Sequence, residues 1–416
     1  MMWRNNTLAD QRGITLVELM VALVVSSIVL IGVATVYTSS KRAYKIQEEF
    51  ARLQENARFA FLELTTALRQ AGYMGSTPTC KNFLRNDTID SLNILDGISG
   101  FEYVGANTKP GAIYTITSLT DTGSQTDWLA PDGDDSDTNN DNLPDWLAGQ
   151  VLVGNDVVIV SYFQTPNCNG VGINACFVDP MAFNPTAAAL PMTGNCPIGK
   201  STFVIANDGA TCDLFQNVTN INAAALSRGA AVGLLTPGNI NPNANEPWSI
   251  KPMGKNGNGG NSNTQILTGT YTAYYIGIGA SGEPALFRAD FNDPCVDSSG
   301  AIYQELVEGV ENMQILYGID NSPNDDNFQP DQFITADPLD LNSFENVVAV
   351  RISLLMRTPQ ETNRPQQANT YRLLGVMPET SVDVTTLADR RVRKVFTTTI
   401  QLRNKAFYRK GFYDEF

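Results

Sequence analysis

Leu19–Ser40 is a run of 22 residues without a single charge, close to the start of the chain. Built as a helix it spans about 33 Å, enough to cross a hydrocarbon core of about 30 Å. A cleaved secretory signal fits poorly, because the run exceeds the usual apolar region and lacks a small-residue exit. Arg4 and Arg12 precede it, and Lys41, Arg42 and Lys45 follow, so flanking charge does not orient it. From Lys41 the pattern turns amphipathic. Ile46, Phe50, Leu53, Ala57, Phe61, Leu64 and Leu68 recur every three or four residues, with charged residues on the other faces. No proline interrupts 14–71, and Gly72 offers a C-cap. The expectation is one helix with a membrane half (14–40) and an amphipathic half (41–72). Its 46–68 stripe would pack on a head made by 73–416.

That head reads as β-rich, giving an α+β chain. Strand candidates are 151–163, 201–206, 270–279, 284–290, 312–318, 347–357 and 392–402, separated by Gly, Pro, Asn and Asp loops such as 238–264. The chain of 416 residues contains no histidine. This excludes Ser-His-Asp and Cys-His nucleophile systems, His-ligated zinc and histidine general bases. A net charge of −15 argues against direct nucleic-acid binding.

Glu18 is out of place in a plain membrane anchor, since a lone carboxylate near lipid is costly and calls for a cationic partner. With its surroundings, Gly13-Ile14-Thr15-Leu16-Val17-Glu18, it resembles the class III leader of type IV prepilins: a short basic leader, Gly at the cut, an apolar first residue and Glu at mature position five. The resemblance implies that 1–13 is a cleaved leader. A prepilin peptidase would cut after Gly13 on the cytoplasmic face and methylate the amino group of Ile14. Glu18 would then meet a neighbouring subunit's amino terminus in a filament core, setting register more than affinity. The run 55–73 resembles the matching helix of PilW-group minor pilins. The stretches 307–320, 346–358 and 390–404 resemble that group again, whereas 75–265 carries no recognisable motif. Implied partners are other minor pilins, the major pilin and a pilus-tip adhesin. The implied setting is the inner membrane with a periplasmic head, then the pilus and cell surface. Subunits that cap such complexes commonly lack the glutamate, so this one would sit below another.

Cys80, Cys168, Cys176, Cys196, Cys212 and Cys295 all follow the apolar run, and an even number in an exported head reads as disulfides. Fifteen pairings are open. Cys168–Cys176 and Cys196–Cys212 as local loops, with Cys80–Cys295 joining distant segments, is the expected set.

The acidic loop 127–145 holds seven acids and no base. A solvated loop explains it, but Asp137, Asn139, Asp141, the Leu143 carbonyl and Asp145 also fall at alternate positions, as calcium ligands do. The spacing resembles the short calcium loops of secreted proteins. It departs from them at Asn142, where a turn glycine is usual, and at Ala148, where a bidentate Glu is usual, so binding would be weak. A second acidic loop, 320–331, has its spacing broken by Pro323 and an Asp doublet.

Two glycine strings argue for less. Gly194–Ser201 matches a phosphate-loop string, but 187–193 does not read as a strand and Ser201 onward reads as β, not helix. Gly277–Gly282 matches GxGxxG but reads as a turn between strands. Arg390, Arg391, Arg393 and Lys394 form a basic cluster suited to partner contact or charge balance. The resulting expectation is a minor pilin that primes pilus polymerisation and acts by assembly, not catalysis. The alternatives are a minor pseudopilin of type II secretion, a membrane-tethered surface hydrolase using carboxylates and a calcium-dependent adhesin.

Overall fold

The proline-free run forms one helix of 55 residues, α1 (Leu16–Gln70). The computed structural model describes residues 14–404 apart from 75–79, 85–96, 106–110, 112, 131–140, 169–170, 173–175, 194–195, 222, 230–237, 241–245, 253–263, 292–294, 296, 298–299, 322–327, 338–343, 363–364 and 376–380. Contacts divide the chain into two compact units, Met1–Arg52 and Leu53–Phe416. Thr15 opens the helix: its Oγ1 accepts the Glu18 N–H at 3.3 Å and its carbonyl accepts the Leu19 N–H at 3.2 Å. At the far end Gly72 takes a left-handed φ of 74°, as a C-cap glycine should, and donates its N–H to the Ser161 carbonyl at 2.9 Å.

Within the second unit α1 buries a stripe of Leu53, Ala57, Ala60, Leu64, Ala67 and Leu68. Three of its six members are alanines, which brings the backbone close to what it packs on. Phe61 is only partly buried, so the stripe is narrower and smaller in side chain than periodicity predicts.

The largest sheet contains β1 (Cys80–Asn82), β2 (Ile98–Tyr103), β3 (Trp128–Ala130), β4 (Asp141–Asn142), β5 (Val157–Gln164), β6 (Phe203–Asn207), β7 (Cys212–Gln216), β8 (Gln265–Ile278), β9 (Pro284–Asp290) and β10 (Ile302–Glu308). Its main path runs β1-β7-β6-β8-β5-β2-β3-β4, and β9 joins β8 to β10 at one side. A second sheet has the order β12-β11-β13-β14, from β11 (Val310–Ile319), β12 (Gln332–Ile334), β13 (Val347–Arg357) and β14 (Arg393–Gln401). The α1 stripe shares one core with Val158, Val160, Tyr274, Ile276 and Leu286 of the large sheet and with Met313, Ile315, Val350, Ile352 and Leu354 of the second. Phe101, Ile159, Phe163, Tyr271 and Tyr275 point to the opposite face and build another core. Alternate residues therefore serve different cores, so both faces of β5 and β8 are apolar.

The strands at 284–290 and 347–357 lie where the pattern predicts them. The expected 151–163 strand begins only at Val157. Gly154, Asn155 and Asp156 break it to bond β11: the Asp156 N–H donates to the Met313 carbonyl at 3.1 Å, and Asn155 Oδ1 and Asp156 Oδ2 accept the N–H groups of Met313 and Ile315 at 2.8 and 2.7 Å. Polar side chains there join the two sheets at a place where a continuing ladder could not.

Candidate functional site

The first unit offers the candidate assembly surface. Every large apolar side chain from Ile14 to Tyr37 is exposed, from 52% at Leu19 to 76% at Leu16. The helix has an 18-residue window of mean hydropathy 2.7, none of it buried. Polar side chains in this stretch are satisfied within the helix. Ser26, Ser27, Thr35 and Thr38 donate their hydroxyls to the carbonyls of Ala22, Val24, Gly32 and Thr35 at 2.6–3.0 Å. Such back-bonding lets a hydroxyl enter an apolar surround without an unmet donor. Glu18 is the one Asp, Glu, Lys or Arg residue from Ile14 to Ser40. It sits in the first helical turn, where the positive end of the helix dipole favours an anion. Ile14 is exposed one residue before the Thr15 cap, while Gly13 lies outside the described residues. Thr15 is a helix-capping position that sequence reasoning missed, although Thr-x-x-Glu is a recognisable helix-start spacing.

The acidic loop is only partly described. Asp137 and Asn139 lie outside the described residues, and Asp141 is placed by its backbone in β4, opposite Ala130. The Leu143 carbonyl and Asp145 Oδ1 both accept from the same nitrogen, Gln125 Nε2, at 2.8 and 3.0 Å. Two of the five expected ligand oxygens thus converge on one point, held by an amide. Among the described residues no group of three or more His, Cys, Asp or Glu side chains converges as a metal site. In the second acidic loop Asp320 is buried and the Asn321 N–H donates to Asp331 Oδ2 at 2.9 Å, while 322–327, including Pro323, lie outside the described residues.

The disulfides correct the expected pairing. Cys80 bonds Cys212 and Cys176 bonds Cys196, with Cα–Cα distances of 4.6 and 5.2 Å. Cys295 is disulfide-bonded as well, and the Cys168 side chain lies outside what is described. Cys168–Cys176, Cys196–Cys212 and Cys80–Cys295 are all replaced because pairing follows strand adjacency, not nearness in sequence. β1 lies parallel to β7 with Cys80 directly opposite Cys212. Cys176 and Cys196 flank an antiparallel ladder in which Phe177 and Val178 face Thr193 and Met192.

The glycine strings resolve as structure. Ala189–Thr193 is a strand, contrary to the sequence reading, because it pairs with Ala225–Ser227 and Phe177–Val178. The next regular element after it is β6 rather than a helix, so no helix N-terminus is available for phosphate. Gly194 and Asn195 lie outside the described residues. Gly277–Gly282 closes β8 onto β9 as a turn, with the Gly279 N–H donating to the Glu283 carbonyl at 2.8 Å.

Two members of the basic cluster, Arg391 and Arg393, turn inward, while Arg390 is exposed and Lys394 lies half-buried over the Phe396 ring. Arg393 Nη2 donates to Glu311 at 3.0 Å and to Asp389 at 2.6 Å, and the Arg393 and Glu311 side chains are both 0% exposed. Arg391 donates to Glu283 at 2.7 Å, and Arg357 pairs with the same carboxylate. Burial pulls the Arg393 guanidinium down, but the hydrogen bonds to Asp389 and Glu311 outweigh it and hold the group above its ordinary range. Arg357, buried in the same place, is lowered by desolvation. Three guanidinium groups thus balance three carboxylates where β11, β13 and β14 meet the β8–β9 turn.

Two family models match the chain. The one for type IV pilus-assembly protein W covers 273–404, from within β8 through β14, and includes the whole second sheet and all six members of the ionic cluster. The prokaryotic N-terminal methylation motif covers 8–34, which contains Gly13, Ile14 and Glu18. No curated protein and no solved structure is significantly similar to the chain.

Proposed function

Because the chain belongs among the PilW-family type IV pilins, we propose that it is a minor pilin that primes pilus polymerisation and is incorporated at or near the tip. Prepilin peptidase cuts after Gly13 and methylates Ile14. The exposed half of α1 then holds the subunit in the inner membrane beside other minor pilins, with its head on the periplasmic side. The observation that carries this reading is the first 22 or so residues of α1: apolar on every face, with hydroxyls bonded internally and one carboxylate in the first turn. Glu18 meets the amino terminus of a neighbour, and two opposite charges paired in an apolar bundle fix which subunit sits next to which. From the inner membrane the complex accepts the major pilin, and after growth the head stands at the cell surface near the tip adhesin.

The test is capture of the full-length protein from membranes, with wild-type, Gly13→Val and Glu18→Ala chains compared. Wild type should bring down other minor pilins and label pili near their ends. Gly13→Val should retain the leader and lose both properties, and Glu18→Ala should be processed yet lose partners. Recovery with secretion-system pseudopilins in place of pilus subunits, or a Gly13→Val chain of unchanged mobility and partners, would overturn the reading.

We further propose that the acidic loop takes calcium weakly, because the Leu143 carbonyl and Asp145 Oδ1 already converge on one donor. Asp137, Asn139 and Asp141 would complete the oxygen set, with the Gln125 amide displaced by the ion. Calcium titration of the full chain in detergent checks this. The expected heat disappears in Asp137→Ala/Asp141→Ala, and a wild-type chain without heat sinks the idea.

A further inference from the structure

Just beyond the apolar run, α1 carries charge that no described residue answers. Lys41, Arg42 and Lys45 are all exposed, and they are the only basic residues between Ile14 and Gln47. Among the described residues none of the three forms an ion pair. Glu18, the one acid in that stretch, lies about 35 Å away along the helix. In the turn after Lys45, Arg52 Nη2 bonds Glu48 Oε1 at 2.8 Å and takes up that carboxylate. Glu49, the other acid there, is buried and pairs with none of the three. In a chain of net charge −15, three adjacent bases left without an acid are an exception.

Aromatic residues share their face. Tyr37 and Tyr44 are 67% and 71% exposed. Tyr37, Lys41, Tyr44 and Lys45 stand at i, i+4, i+7 and i+8, which places them on one side of the helix, and Arg42 lies beside them, three residues before Lys45. Depth in a bilayer follows from the same numbering. The uncharged run Leu19–Ser40 fills a hydrocarbon core of about 30 Å, and the headgroup layer adds about 5–7 Å on each side. From Lys41 to Lys45 the helix rises about 6 Å. The three bases therefore span the layer that holds the lipid phosphates and end with it. Tyr37 sits about 6 Å below Lys41, at the boundary where an apolar ring with a polar tip is favoured.

We propose that this collar binds anionic phospholipid headgroups in the leaflet at the Ser40 end of the span. The proposal rests on the membrane placement of α1 given above. Arg42 presents a planar fork that holds a phosphate through two N–H groups, and Lys41 and Lys45 add point charges within the same layer. A zwitterionic headgroup brings its own cation to its phosphate, so it gains less from three fixed bases than a headgroup of net negative charge. The attraction fades within about 8 Å of the surface at physiological salt, which keeps it local to the collar. Departure of the subunit into a filament breaks these contacts, so lipid charge resists its release.

The test places the full-length chain in nanodiscs of mixed phosphatidylcholine and phosphatidylglycerol, and native mass spectrometry counts the lipids that stay with it on release. Wild type should retain phosphatidylglycerol over phosphatidylcholine by about tenfold beyond their ratio in the disc. Lys41→Gln/Arg42→Gln/Lys45→Gln should retain the two in the disc ratio. Lys41→Arg/Arg42→Lys/Lys45→Arg should keep the preference, and salt of about 1 M should shrink it. All three bases are exposed, so neither variant disturbs a core. A wild-type chain that enters the discs yet retains both lipids alike would overturn the lipid site and leave the membrane placement standing. A chain that enters no disc would remove both. A preference that survives in the glutamine variant would place the anion elsewhere and overturn the proposal. Unchanged lipid retention in that variant, with loss of co-purifying minor pilins, would assign the collar to a protein partner instead.

Discussion

The two parts of the head are fastened by different chemistry. In the region 273–404 the second sheet is locked by charge: Arg357, Arg391 and Arg393 against Glu283, Glu311 and Asp389. In the middle region, 75–264, both fully described disulfides tie short strands together, and Arg228 sits against two aromatic rings, with its guanidinium carbon 3.9 Å from the Phe83 ring centre and 4.6 Å from that of Trp248. Strand length explains the contrast. β11 and β13 pair over nine positions and share a core with α1, so their residues can afford a satisfied polar cluster at one end. β1, β6 and β7 have three to five residues each, and covalent bonds supply what such short ladders lack.

The largest expected effect breaks the charged fastening. Arg393→Met leaves Glu311 fully buried without its partner, which should cost about 3–5 kcal/mol. Urea unfolding of the full chain in detergent, read at the second sheet by hydrogen exchange, checks it. The double variant Arg393→Met/Glu311→Leu should recover most of the loss. If Arg393→Met alone were neutral, the cluster would be ornamental and the contrast between the regions would fail.

Next in size is the covalent fastening. Cys80 and Cys212 are 132 residues apart, and a cross-link closing so long a loop contributes about 3 kcal/mol in practice, less than the loop-entropy ceiling of about 5 kcal/mol. Cys80→Ser/Cys212→Ser should loosen β1, β6 and β7 while leaving exchange protection in β11 and β13 close to wild type. Equal loss in both sheets would show that the head unfolds as a single cooperative block and would remove the regional distinction.

How far each region could be read from sequence comes down to the same difference. The strand at 347–357 announces itself as a mostly apolar run because both its faces are buried, and 284–290 does so through buried Ala285, Leu286 and Ala289. β10 does not, since Ile302 and Tyr303 are exposed and its other residues alternate little, as befits a strand that pairs only with β9 among the described strands. The disulfide pairing was illegible because β1 and β7 are brought side by side by packing, and no local pattern places Cys80 opposite Cys212. In the apolar half of α1 and just before it, Gly13, Ile14 and Glu18 stand out through their resemblance to a prepilin leader, whereas the internal bonding of Ser26, Ser27, Thr35 and Thr38 needed the helix to be seen. The basic cluster could be read as exposed or inward from composition, and only the buried Glu311 decides for inward at Arg393.

The last effect concerns the seam between the regions, at Asp156, and it is confined to a window of pH. Its carboxylate is pushed up to about 7, chiefly by burial, against the lowering pull of the Ile315 and Tyr103 N–H groups. Those two N–H groups belong to β11 and β2, so one side chain holds both parts of the head. Glu102 and Tyr317 face it from the same strands, and Tyr317 is itself held well above its usual range by burial and by these two acids. A carboxyl raised in the folded state keeps its proton after the unfolded chain has released one. Its contribution is therefore complete below about pH 4, shrinks as pH rises, and is lost above about 7. Asp208, Asp383 and Asp389 are lowered and act in the opposite sense, so the total curve mixes both signs. The readout is thus the difference in unfolding free energy between wild type and Asp156→Asn across that window. Asparagine keeps the acceptor for Ile315 but cannot ionise, so the wild-type curve should fall relative to the variant from pH 4 to 7 and run parallel outside it. Parallel curves throughout would mean that Asp156 stays ionised in the fold. The seam would then be a fixed joint, with the two regions coupled equally tightly at every pH.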